Sequence, residues 1–98
     1  MDCANLFHDG QAYRENVQDI IGKAFELLGD YVTMAHGKDI EEGEGLHFTG
    51  AGHGIVDFPF FFSELNKIGY GGGLILHGIK KEEDIPFCLS YVNEKEKE

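Results

Sequence analysis

Residues 16–37 of this 98-residue chain read NVQDIIGKAFELLGDYVTMAHG. Apolar side chains recur here three and four positions apart, which is the spacing of one helical face; they are Val17, Ile20, Ile21, Ala24, Phe25 and Leu28. Asn16 is suited to the N-cap of this helix, and Gly29 is suited to end it in the left-handed conformation. The apolar run at 31–36 lies between glycines and predicts a buried strand. The stretch therefore predicts a helix followed by a strand.

The same order recurs further along the chain. Asp57 is a suitable N-cap and Pro59 is tolerated in a first turn, so a second helix is predicted that ends near Gly69. Residues 74–78 form a short apolar run that is typical of a second buried strand. A third helix is predicted from Asp84, and a short first strand within residues 1–6.

The segment between the first predicted strand and the second helix differs in composition. Residues 37–54 are rich in glycine and acidic side chains, which predicts a long loop with a short extended piece at 46–49.

Alternating helices and strands imply right-handed crossovers and a parallel sheet. We therefore expect an α/β fold with one domain over residues 1–93, followed by a charged C-terminal tail at 94–98.

Net charge narrows the classes of partner. The chain carries 8 Lys and Arg residues against 18 Asp and Glu residues, a net charge of −10, while 42% of its residues are hydrophobic. This charge disfavours nucleic acid and anionic membranes as partners, because both would repel the protein. No segment resembles a signal peptide or a membrane span, and two cysteines do not make a disulfide framework. A cytoplasmic protein without nucleic-acid or membrane partners is predicted.

Polar side chains of the types that bind metals or take part in catalysis follow the predicted strands. A carboxylate and two imidazoles that met at the carboxyl ends of parallel strands would suit a divalent metal such as Mn, Co or Zn. Spacing alone does not show that they meet, and a hydrogen-bonded histidine at a strand end is the alternative. The residues at these strand ends are Asp2, Asn5, His36, Lys38, Asp39 and His77.

Several segments in order resemble the closing section of the xylose isomerase-like sugar phosphate isomerases and epimerases, which are TIM barrels. They include the H-x-K-D element and a glycine-rich entry to the last strand, and they cover residues 2–7, 24–30, 34–39, 54–58 and 68–76. The resemblance implies a partial (β/α)8 TIM barrel made of about three C-terminal βα units with parallel strands. A complete barrel needs about 250 residues.

The resemblance also implies roles for individual residues. Asp2 and His36 match metal ligands, and Asn5 matches a residue that faces the substrate. Lys38 and Asp39 would lie beside the hydroxyls or phosphate of a sugar or sugar phosphate. The implied reaction is an isomerisation or epimerisation in which a divalent metal stabilises an enediolate while carboxylates transfer a proton.

The chain departs from the family pattern at two positions. One glutamate of the pattern would lie before Met1, and the final strand ends in His77 where the family has a glutamate. An imidazole can ligate a metal, but it does not replace an anionic carboxylate. We therefore expect His77 as a third ligand, incomplete catalysis by this chain alone, and a homo-oligomer or a missing barrel half as partner. The alternative is a non-catalytic assembly or a metal- or ligand-binding module.

Overall fold

Helices and short strands alternate in the computed structural model, which describes residues 1–97. The α-helices of the described chain are α1 (Val17–Leu28), α2 (Phe58–Lys67) and α3 (Ile85–Glu96). Its strands are β1 (Ala35–Gly37), β2 (Asp39–Ile40), β3 (Phe48–Thr49) and β4 (Leu74–Leu76). None of the described helices is both long enough and apolar enough to cross a membrane.

Helix α1 follows the apolar spacing of its sequence. It buries Val17, Ile21 and Phe25, which lie four positions apart on one face. The prediction that Gly29 ends the helix in the left-handed conformation is wrong, because its φ is −54° and a short 3₁₀ turn continues the chain. A Cβ at Gly29 would lie 3.1 Å from Ile68 Cγ2, so glycine permits the close approach of the segment that follows α2.

Helices α2 and α3 begin as predicted. The Asp57 side chain accepts a hydrogen bond from the Phe60 N–H at 3.1 Å, which confirms it as the N-cap of α2. Asp84 precedes α3 but makes no side-chain cap hydrogen bond. Helix α3 runs to Glu96, so most of the predicted tail at 94–98 is helical; residue 98 lies outside the described residues.

The strands form two separate small sheets. Strands β1 and β4 pair in parallel, with His36 opposite Ile75, whereas β2 and β3 pair antiparallel. The predicted first strand is reduced to one parallel bridge between Asp2 and His36, in which the His36 N–H donates to Met1 O at 2.8 Å. A 3₁₀ turn follows at Ala4–Leu6.

The predicted partial (β/α)8 barrel with three parallel βα units is wrong. The described residues contain a two-stranded parallel sheet and a two-stranded antiparallel sheet, and they show no repeated βα unit. Two local features oppose a longer parallel sheet. The Asp2 carboxylate accepts from the Ala4 N–H and turns the chain after one bridge, and the loop after β1 folds back so that β3 pairs with β2. The fold is a small α/β arrangement.

Candidate metal centre

Three side chains from distant parts of the sequence meet at one end of the parallel sheet. Asp2 lies on the isolated bridge, His36 is the middle residue of β1, and His77 directly follows β4. The His77 N–H donates to Gly37 O at 3.2 Å and so extends the pairing of the two strands past their last residues. One ligand atom from each side chain lies within 4.8 Å of the other two. The structure thus brings together the three residues that the sequence suggested as metal ligands.

The Asp2 carboxylate has its two oxygens in different roles. Oδ1 accepts hydrogen bonds from the backbone N–H groups of Ala4 at 3.1 Å and Asn5 at 3.4 Å. Oδ2 lies 2.6 Å from His77 Nε2. Both Oδ2 and Nε2 are buried, yet neither makes a hydrogen bond, so the close pair lacks the angles that a hydrogen bond requires. The 3₁₀ turn therefore fixes the carboxylate and leaves one oxygen directed at an imidazole.

The two imidazole rings lie edge to face. Their centroids are 5.0 Å apart and their planes are inclined at 85°. The side chain of Asp2 is 11% exposed, whereas that of His77 is 41% exposed. The Asp2 carboxylate is therefore nearly buried, and the exposed part of the His77 ring does not include Nε2, which is buried.

Lys38 places its ammonium group beside this cluster. Nζ donates a hydrogen bond to Asn5 Oδ1 at 2.8 Å and lies 3.8 Å from Asp2 Oδ2. The ammonium also lies 4.0 Å from the centroid of the Phe48 ring, at cation–π distance. Asn5 and Lys38, which the resemblance placed beside a substrate, thus lie next to the candidate ligands. Phe48 was not identified from the sequence, because no motif in the sequence near Phe48 indicates a contact with Lys38.

Asp39 lies away from the cluster. Its side chain is fully buried, and its carboxylate accepts from the backbone N–H groups of Ile40, Gly52 and Val56 at 2.9–3.0 Å. Burial raises the pKa of this carboxyl above its usual value, and the hydrogen bonds from these N–H groups act in the opposite direction. Asp39 therefore anchors the loop before α2, and this geometry gives no support to its predicted contact with a substrate.

Comparisons with protein-family models, with curated proteins and with solved structures gave no match. The resemblance to the xylose isomerase-like proteins accordingly stays a prediction.

The donor set of the cluster is chemically specific. One carboxylate oxygen and two imidazole nitrogens suit divalent Mn, Co or Zn better than the harder ions Mg²⁺ and Ca²⁺, which take oxygen ligands. Three protein ligands leave at least one coordination position for water or another ligand. Cys3, the next residue after Asp2, is not one of the three residues that meet, and its buried Sγ lies 3.2 Å from Lys38 O.

Proposed function

We propose that this protein binds a divalent transition metal ion through Asp2, His36 and His77. The observation that carries the proposal is the pair of buried atoms Asp2 Oδ2 and His77 Nε2, which lie 2.6 Å apart without a hydrogen bond. Buried polar atoms nearly always have a partner. A cation bound by both atoms would serve as partner for both, and His36 offers a further nitrogen within 4.8 Å.

A simple ion pair between Asp2 and a protonated His77 is the competing interpretation. It accounts for the short distance, but it leaves the poor hydrogen-bond angles and the nearby His36 unexplained. A metal site accounts for all three side chains, whereas the ion pair accounts for two.

Metal binding by itself does not supply a catalytic proton transfer. In the predicted isomerase or epimerase reaction a carboxylate beside the metal moves the proton. Among the described residues, Asp2 is the carboxylate of the cluster, and Asp39 is buried with its oxygens held by backbone N–H groups. The geometry therefore favours the metal- or ligand-binding module over the sugar phosphate isomerase or epimerase, which stays a prediction.

Calorimetric titration of the chelator-treated protein with Zn²⁺, Co²⁺ and Mn²⁺ tests the proposal. We expect one ion per chain for at least one of these metals. An ion present at 100 times its Kd should raise the free energy of unfolding by about 2.7 kcal/mol, because it binds the folded state. His36→Ala and His77→Ala should each abolish this stabilisation.

His8→Ala is the matched control, because His8 is an exposed histidine outside the cluster. It should leave the metal affinity unchanged. Equal binding by the wild type, His36→Ala and His77→Ala would show that the ion sits elsewhere, and the proposal would then fail. A wild type that binds none of the three metals would favour the ion pair between Asp2 and His77.

A further inference from the structure

We propose that the metal-loaded site selects small dianionic chelating ligands, such as dicarboxylates, and that Lys38 sets this preference. The inference rests on the metal site proposed above. The ligand would occupy the coordination positions that the three protein ligands leave open, beside Lys38.

The net charge of the metal-loaded site favours an anionic ligand. A divalent ion contributes two positive charges, the Asp2 carboxylate removes one, and two neutral imidazoles add none. The Lys38 ammonium, 3.8 Å from Asp2 Oδ2, adds one more. The loaded site therefore carries two positive charges that these residues leave unbalanced. Uncompensated charge in a partly buried site is costly, so a ligand with two negative charges is favoured.

The Lys38 ammonium group is held in place beside the cluster. An ammonium group that moved freely in solvent would have little effect on a ligand bound there. The Lys38 side chain is only 12% exposed. Asn5 Oδ1 accepts a hydrogen bond from Nζ, and the Phe48 ring lies against the ammonium. A Cβ at Gly78 would lie 2.6 Å from Lys38 Cγ, so the lysine stem runs in the space that this glycine leaves. The ammonium group is thus held beside Asp2 by the contacts of Nζ and of the lysine stem.

Lys38 has hydrogen-bond donors that remain for a ligand after its bond to Asn5. An ammonium group has three donors, and Asn5 Oδ1 takes one of them. The remaining donors can bond an anionic oxygen of a ligand whose other oxygen binds the metal. Charge-assisted hydrogen bonds of this kind are about twice as strong as neutral ones. A two-oxygen ligand would thus bridge the metal and Lys38.

Three two-carbon chelators that differ chiefly in charge provide the test. They are oxalate with two negative charges, glycolate with one, and neutral ethylene glycol. Each is titrated by calorimetry into the metal-loaded protein at 0.15 M salt, where the Debye length is about 8 Å and the overall charge of −10 is largely screened. Metal content is measured after gel filtration, so that removal of the ion by oxalate is detected.

Free metal ions also bind oxalate more tightly than glycolate, so the informative quantity is the ratio of affinities between wild type and Lys38→Met for each ligand. We expect this ratio to be about tenfold for oxalate, about threefold for glycolate and close to one for ethylene glycol. These values correspond to the loss of a charge-assisted hydrogen bond of about 1.5 kcal/mol for the dianion. Lys67→Met is the matched control, since Lys67 is an exposed lysine at the end of α2.

Similar ratios for the three ligands, or a ratio near one for oxalate, would overturn the inference. An equal loss in Lys67→Met would overturn it as well. If Lys38→Met does not fold, Lys38→Gln provides a second neutral variant that can still donate to Asn5. A failure of the metal site itself is seen separately, because the protein then retains no metal before any ligand is added.

Discussion

Asp39→Asn changes one atom of a buried side chain and should destabilise the protein. Asp39 Oδ1 accepts from the N–H groups of Ile40 and Val56, and Oδ2 accepts from the N–H of Gly52 at 3.0 Å. An asparagine can keep its carbonyl oxygen in the place of Oδ1. Its NH₂ group then faces the Gly52 N–H, so two donors meet and the Gly52 N–H loses its acceptor.

The expected cost follows from these contacts. An intramolecular hydrogen bond contributes about 0.5–1.5 kcal/mol, and a buried donor without a partner costs about 1–3 kcal/mol. The neutral amide avoids the burial of a charge, which offsets part of this loss. We expect a net loss of about 2–3 kcal/mol, equivalent to a fall in Tm of roughly 10–20 °C for a domain of this size.

Urea unfolding at pH 7, followed by circular dichroism, measures this loss. Asp57→Asn is the matched control, because asparagine caps helices as well as aspartate does, and it should cost less than about 0.5 kcal/mol. If Asp39→Asn were as stable as Asp57→Asn, the assignment of Asp39 as the anchor of the loop would be refuted.

The pH dependence of the same pair gives a second measurement. Burial raises the pKa of Asp39 in the folded protein, so the folded state holds this proton at pH values where the unfolded chain has released it. The stabilising contribution of Asp39 is therefore greatest below the unfolded pKa of about 3.9 and declines as the pH rises through the folded pKa. The stability difference between wild type and Asp39→Asn should thus decrease from pH 4 to pH 7. An increase over this range would contradict the direction of the shift.

Three further predictions concern a close backbone contact, the two cysteines and the edge of the parallel sheet. Gly54→Ala should cost about 3 kcal/mol in urea unfolding, because its Cβ would lie 2.2 Å from Ile40 O, whereas Gly71→Ala meets open space and should change stability by less than about 0.5 kcal/mol. Neither cysteine thiol should react with iodoacetamide in the folded protein at pH 8, since both are buried and burial raises both pKa values; mass spectrometry should show two adducts only in denaturant. If the predicted homo-oligomer forms through the exposed edge strand β4, Ile75→Lys should lower the mass measured by light scattering, and an unchanged oligomer would exclude that edge.

The helices were predictable because their signals are local. Apolar spacing gave α1, and Asp57 with Pro59 gave the start of α2. The sheets were less predictable because strand pairing is not local. The strands contain only two or three residues each, and the sequence does not show that β3 turns back to pair with β2.

The candidate site was predictable in part for a related reason. His36 and Lys38 are two positions apart, and in extended chain such residues face the same side, which fits their positions at the cluster. Asp39 is one position further and faces the interior. This alternation was available in the sequence. The contacts of Lys38 with Phe48 and Gly78 were not, because they depend on where the loop after β1 and the segment after β4 lie in the fold.

The three candidate ligands have a consequence for the folding reaction itself. Asp2, His36 and His77 lie 34 and 41 positions apart along the chain. An ion held by all three would act as a reversible cross-link that closes two long loops, in a protein whose cysteines are both free. Closing such loops restricts the unfolded chain, and ligands this far apart do not form a ready-made site before folding. The supply of metal would then determine how much of the chain is folded, as well as what the folded protein binds.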